Sequence, residues 1–121
     1  MTFVLSLHRG LFFAGLILAL AIGVWGLAMY VRRVAPSGAY NSALGIVEGL
    51  FIVQGLVGVT LFAGGRRPHD PLHWLYGVLL VIVLPIATTY TSGRHDPRQS
   101  LVYGIAGLFM AGLAIRALTT S

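Results

Sequence analysis

The chain has 121 residues, 57% of them hydrophobic and only 9% charged, with a mean hydropathy of +0.88; soluble domains carry about 25% charged residues, so this composition belongs to an integral membrane protein. Eight arginines, no lysine, no cysteine and three acids give a net charge of +5, which excludes disulfides, thiolate metal sites, iron–sulfur clusters, thiol nucleophiles and lysine Schiff bases. The arginines stand in ones and twos between apolar segments and form no basic stripe, so their expected partners are lipid headgroups or the carboxylates of a cofactor, with no role in nucleic-acid binding.

A hydrocarbon core about 30 Å thick takes about 20 apolar residues in helical form. Four segments meet that requirement: Leu11 to Met29, Ala43 to Ala63, Leu72 to Thr91 and Leu101 to Leu118. They predict an all-α fold, a four-helix up-down-up-down bundle forming one transmembrane domain over residues 1–121, of the multi-pass kind found in a bacterial inner (plasma) membrane.

The first segment follows His8 and Arg9. Its apolar run exceeds the 7–15 residues of a signal-peptide core, so it is expected to remain as a membrane helix. At 100° per residue His8, Phe12, Gly15, Ala19 and Gly26 share one face, which sets the histidine above a small-residue stripe suited to close helix packing. Arg32 and Arg33 end the segment, and Pro36, Ser37 and Gly38 make the turn that follows.

The second segment carries Gly45 and Gly49 in a GxxxG pair, then Gly55 and Gly58, and is expected to pack through them. Glu48 is the only acid inside an apolar segment and shares a face with Gly45, Ile52 and Gly55, which predicts that it points into the bundle. An intramembrane carboxylate is a candidate proton relay, quinol-binding group or ion-pair partner for an arginine of another subunit; the structural alternative is a hydrogen bond to Thr88, Thr89 or Tyr90. Gln54, near mid-membrane, is expected to make an interhelical hydrogen bond. Gly64 and Gly65 give a C-cap signal.

The third and fourth segments open with the same tripeptide, His69-Asp70-Pro71 and His95-Asp96-Pro97. Aspartate is a good N-cap and proline is favoured at the first helical position, so the repeat reads as two helix starts. His69 then falls outside the helix, and its spacing of four from His73 does not make a metal site. Within the third segment Gly77, Leu80, Leu84 and Thr91 lie beneath His73, and Pro85 should bend the helix unless a hydroxyl such as that of Thr88 or Thr89 satisfies the freed carbonyl. The fourth segment offers Gly104, Gly107, Ala111 and Gly112 for packing. Arg116, one turn inside its end, either snorkels to the headgroups or meets an anionic group. Trp25, Trp74, Tyr30, Tyr40, Tyr76, Tyr90 and Tyr103 read as interface anchors. Arg9, Arg66, Arg67 and Arg116 lie on one side, and Arg32, Arg33, Arg94 and Arg98 on the other, so charge does not set the orientation.

Helices 1 and 3 run in the same direction and lie on a diagonal of such a bundle. His8 and His73 therefore arrive at one depth with inward faces, an arrangement that can clamp a flat ligand. A b-type haem with both imidazoles on its iron is the specific expectation, with Gly77 leaving room for the macrocycle and Arg116 as a bidentate partner for a propionate. A bacteriochlorophyll, which needs a single histidine, is the alternative pigment; two separate interface histidines are the structural alternative.

The order of features resembles one four-helix haem-binding half of haem A synthase. His8-Arg9-Gly10 at the start of an apolar helix is similar to that family's His-Arg opening, Gln54-Gly55-Leu56-Val57-Gly58 to its Gln-x-x-x-Gly, and His73 to its second ligand. The resemblance covers segments 1 to 3 and implies a haem-binding bundle with His8 and His73 as axial ligands. The family's glutamate ahead of the first histidine has no counterpart between Thr2 and Leu7, and the chain provides one bundle where that enzyme has two, so the synthase chemistry is not implied.

The functional expectation is a small membrane subunit without an autonomous reaction, which binds haem b and passes electrons, with quinone as a partner near one membrane face. The alternative is a structural accessory subunit of a larger respiratory or photosynthetic complex, held to other membrane subunits and to lipid. An enzyme of haem modification is a third reading.

Overall fold

The structure is a computed structural model that describes residues 2–68, 70–92 and 95–120. Its elements are four α-helices, α1 Thr2–Val31, α2 Gly38–Ala63, α3 Leu72–Tyr90 and α4 Pro97–Thr120. All four are long and apolar enough to cross a bilayer, so the chain is a multi-pass membrane protein built as an all-α bundle. Each helix packs against its neighbours in the order α1, α2, α3, α4 and back to α1, which leaves α1 and α3 on a diagonal.

The helix ends follow the local chemistry. Asp70 Oδ1 accepts from Leu72 N at 2.9 Å and starts α3, while Asp96 Oδ1 accepts from Gln99 N at 3.4 Å in front of Pro97, the first residue of α4. Ser37 caps α2 by accepting from Tyr40 N at 3.1 Å. At the other end of α2, Gly65 takes a φ of +93°, and Arg66 N reaches back to Leu61 O at 3.0 Å; a left-handed glycine satisfies the last carbonyls without steric cost. Arg33 does the same work at the end of α1 with a φ of 58°.

α1 departs from the sequence expectation. It begins at Thr2, so His8 lies inside the helix instead of ahead of it. The apolar run does start near Leu11, but nothing between Thr2 and Gly10 breaks a helix: there is no proline, and Ser6, His8 and Arg9 are tolerated in helical backbone. Thirty residues make a rod about 45 Å long, longer than the hydrocarbon core, which puts His8 near the membrane boundary. α3 runs unbroken through Pro85; Thr89 Oγ1 donates to the Pro85 carbonyl at 2.9 Å, one turn away from the carbonyl that the proline leaves free.

The core sits between α1 and α4. Half of α4's spanning segment is buried, against 17% for α2 and for α3. Gly23, Gly26, Gly104 and Gly107 bring these two backbones together; a Cβ on Gly26 would stand 2.7 Å from Gly104 N. Tyr40 fills the space beside them, fully buried, with its hydroxyl donating to Ile22 O at 2.7 Å. Tyr103 is also buried and shares a 2.9 Å hydrogen bond with Thr88. Both tyrosines are therefore core residues and not interface anchors, because each hydroxyl finds a partner inside the bundle.

α2 corrects a second expectation. Tyr40, Leu44, Val47 and Phe51 form its buried face, and at 100° per residue Gly49 lies about 180° from Tyr40. Gly45, Gly49 and Gly55 are exposed, and nothing approaches within 4 Å of where their Cβ atoms would be. The bulky residues of α2 have claimed the core side, so its GxxxG pair faces outward.

Candidate functional site

The two histidines meet. Their ring centres are 6.3 Å apart with the planes inclined at 63°, although one belongs to the second turn of α1 and the other to the first turn of α3. No direct α1–α3 backbone contact brings them together; the rings themselves reach across the diagonal. Alternate helices of the bundle run parallel, and both residues stand near the same end, which is how the sequence pattern produces the encounter.

Each histidine is held by a helix that flanks the diagonal. His73 Nδ1 is 2.9 Å from Ala117 O on α4 and 3.3 Å from Thr120 Oγ1. A carbonyl only accepts, so the proton is on Nδ1 and the Nε2 lone pair is left for another use. On the α2 side, Gln54 Nε2 donates to His8 O at 2.8 Å, and the Cβ position of Gly58, one turn further along α2, is 3.4 Å from His8 Cε1. Two buried polar atoms at this contact have no hydrogen-bond partner, His8 Nδ1 and Gln54 Oε1. Gln54 is thus the interhelical hydrogen-bonding residue that the sequence predicts, and its target is the candidate ligand residue itself.

Small residues surround the pair. Gly58 meets His8 from α2, and Ala114 and Ala117 are buried on α4. Gly77, one turn below His73, is exposed, with no atom within 4 Å of its Cβ position. The seam between α2 and α3 is the slightest of the four in the bundle.

Arg116 is at the same end as the histidines but on the outer surface. Its Nη2 lies 3.4 Å from Tyr76 Oη, and its guanidinium stands 5.7 Å from the centre of that ring. The expected proximity in depth holds, and Tyr76 is a partner that sequence reasoning did not supply. Arg67 similarly covers the Phe62 ring at 4.0 Å, and Phe62 packs edge-on against Trp74 at 5.1 Å. Asp70 N donates to Thr120 O at 3.0 Å, tying the α2–α3 connection to the end of α4 beside His73.

Glu48 is not brought into this group. Gly45, Ile52 and Gly55 on its face are exposed, while Glu48 itself is half-buried at the rim of the buried surface. Its Oε1 is buried without a partner. Thr88 is engaged with Tyr103, and Thr89 with the Pro85 carbonyl, so neither supplies the expected hydrogen bond. His95 is exposed beside the start of α4. His69 and Arg94, both named in the sequence reading, lie outside the described residues.

The chemistry open to this arrangement is narrow. Metal–imidazole bonds are about 2 Å long; adding about 1 Å from each nitrogen to its ring centre, a metal ion between two imidazoles separates the ring centres by about 6 Å. Among the described residues no group of three or more His, Cys, Asp or Glu side chains gathers around a common point. Two imidazoles alone leave the remaining positions of a metal ion to other donors. A tetrapyrrole brings four in-plane nitrogens of its own. Comparison of the chain with protein-family models, with curated proteins and with solved structures gives no match.

Proposed function

We propose that this bundle is a b-haem-binding membrane subunit in which His8 and His73 are the axial ligands. The observation that carries the reading is the 6.3 Å separation of the two ring centres across the α1–α3 diagonal. The Nδ1–H of His73 on the Ala117 carbonyl supports it, since metal-bound histidines are generally oriented by an acceptor on the other ring nitrogen. The open position at Gly77, one turn below His73, supplies space on α3.

Haem b, when bound, supplies one-electron transfer. The chain's own residues would hold and orient it: His8 and His73 would bind the iron, and Arg116 would offer a cation at the same membrane face for a propionate. Quinone is the natural two-electron partner within the membrane, and a bacterial inner membrane is the setting this reading implies. A bacteriochlorophyll would use one of the histidines and leave the other without a role, so the paired geometry favours haem.

The experiment is a reduced-minus-oxidised absorption spectrum of the purified protein. A haem b difference signal in the wild type that disappears in both His8→Ala and His73→Ala supports the reading; a wild-type protein that stays colourless after expression with ample haem and after haemin addition overturns it.

A second reading, a structural accessory subunit of a larger respiratory or photosynthetic complex, is favoured by one observation. The Gly45–Gly49 pair lies on the outer side of α2 with open space above it, the form of surface on which another transmembrane helix packs. Fixed-stoichiometry co-purification with other membrane subunits, abolished by Gly49→Leu while the bundle stays folded, is its signature.

A further inference from the structure

The two histidines are set in matching frames by opposite helices, and only one of the frames is closed. On the α4 side, Ala117 O takes the proton of His73 Nδ1 at 2.9 Å. On the α2 side, Gln54 has already reached His8 through Nε2 and the backbone carbonyl at 2.8 Å. That leaves an acceptor, Gln54 Oε1, and a ring nitrogen, His8 Nδ1, both buried and both without a partner, on two residues that are already bonded to each other. Buried polar atoms are costly when unpaired.

We propose that Gln54 is the positioning residue of the site: its amide spans His8, donating to the main-chain carbonyl and accepting the proton of Nδ1, which fixes the imidazole in the Nδ1–H tautomer and frees Nε2 as a ligand. Gln54 is to His8 what the Ala117 carbonyl is to His73. The pair then presents two lone pairs from one end of the bundle, one held by α2 and the other by α4. A side-chain amide suits this work because it joins a donor and an acceptor in one rigid plane, and the carbonyl and ring of a single residue are near enough to engage both. Gly58 lies beside the same ring: its Cβ position is 3.4 Å from His8 Cε1, an ordinary van der Waals contact.

In its use of a metal tetrapyrrole the inference rests on the proposed function, but the tautomer itself is a property of the protein without any ligand. Full-length protein labelled with 15N-histidine and reconstituted in lipid nanodiscs, free of haem, gives the tautomer of each ring from its nitrogen chemical shifts. The expected result is Nδ1–H for both His8 and His73 in the wild type. Gln54→Leu should convert His8 to a mixture of tautomers and leave His73 unchanged. An unchanged His73 signal shows that the bundle has folded in the variant. His8 in the Nε2–H form in the wild type, or in the Nδ1–H form in Gln54→Leu, overturns the proposal.

Titration of the same samples with haemin separates the two claims. If haem reading and inference both hold, Gln54→Leu weakens haemin binding by about 10- to 100-fold, the range for loss of a residue that orients a metal-bound histidine. Wild-type protein with the expected tautomers and no haemin affinity would overturn the haem reading and leave Gln54's role intact. Haemin binding of equal strength in wild type and Gln54→Leu would overturn that role and leave the haem reading intact.

Discussion

Gly23 and Gly107 hold α1 and α4 at backbone contact: a Cβ built on Gly107 would stand 2.7 Å from the Gly23 amide nitrogen and 2.9 Å from Ala19 O. Backbone cannot yield as a flexible side chain does. Gly107→Ala should therefore push the two helices apart and lower stability by about 1–3 kcal/mol, the range for overpacking a filled core. Gly49→Ala meets open space and replaces a poor helix former with a good one, so it should leave stability unchanged or raise it by up to about 1 kcal/mol. Thermal unfolding in detergent followed by circular dichroism compares the two, and equal losses would contradict the assigned packing.

The Tyr40 hydroxyl donates to Ile22 O inside the bundle, where the ring also stacks edge-on with Trp25 at 4.9 Å. Tyr40→Phe keeps the ring and removes one interhelical hydrogen bond, worth about 0.6 kcal/mol on average in membrane bundles and up to about 1.7. Tyr40→Ala also empties a fully buried site and should cost about 3–5 kcal/mol. The same unfolding measurement should rank the wild type first, the phenylalanine variant slightly below it and the alanine variant far below.

Arg33 occupies a left-handed conformation with φ at 58°, which costs a side-chain-bearing residue roughly 1–2 kcal/mol. It is exposed, at the position after a helix where glycine is the usual choice. Arg33→Gly should raise the unfolding midpoint, partly offset by the greater freedom of glycine in the unfolded chain. A lowered midpoint would show that the guanidinium makes a contact worth more than the conformational relief.

How far the sequence reveals this protein can be judged residue by residue. The four spans, the Asp70 and Asp96 helix starts and the glycine stop at Gly65 follow from composition and local chemistry, which act within a few residues. The meeting of His8 and His73 follows from helix direction and depth. The outward turn of Gly45 and Gly49 does not, because a GxxxG pair is suited equally to a neighbour within the chain and to one outside it; Tyr40 and Phe51 decide by filling the core. The Ala117 carbonyl was invisible, since a backbone acceptor leaves no mark in the residue type. Gln54 was legible as a hydrogen-bonding residue, and its spacing of four from Gly58 was the available sign that one face of α2 is shaped around a single object on α1.

Glu48 is half-buried, with Oε1 unpartnered. A polar group buried without a hydrogen bond lowers stability, so Glu48→Leu should stabilise the isolated bundle and, under the haem reading, leave haemin binding unchanged. If the native protein works alongside another subunit, the same substitution should reduce co-purification, because the carboxyl is then the part of α2 that addresses a partner. Destabilisation of the isolated chain by Glu48→Leu would mean that the acid is satisfied within the bundle.

Arg116 has Tyr76 as its neighbour in the protein, and a propionate is the anion it would meet under the haem reading. A hydrogen bond to a charged group is worth about 1.5–3 kcal/mol. Arg116→Gln should accordingly weaken haemin by about tenfold or more and leave haemin dimethyl ester, which has no charged propionate, unaffected. Equal losses for both would assign Arg116 to structure alone.

The Ala117 carbonyl that orients His73 belongs to α4, which follows α1 to α3 in the chain and is also the helix against which α1 is most closely packed. Without it His73 has no acceptor for its Nδ1 proton and α1 lacks the surface that fixes its position. The frame of the histidine pair is therefore complete only once α4 has joined the first three helices, so a chain truncated after α3 would hold both imidazoles without the Ala117 acceptor.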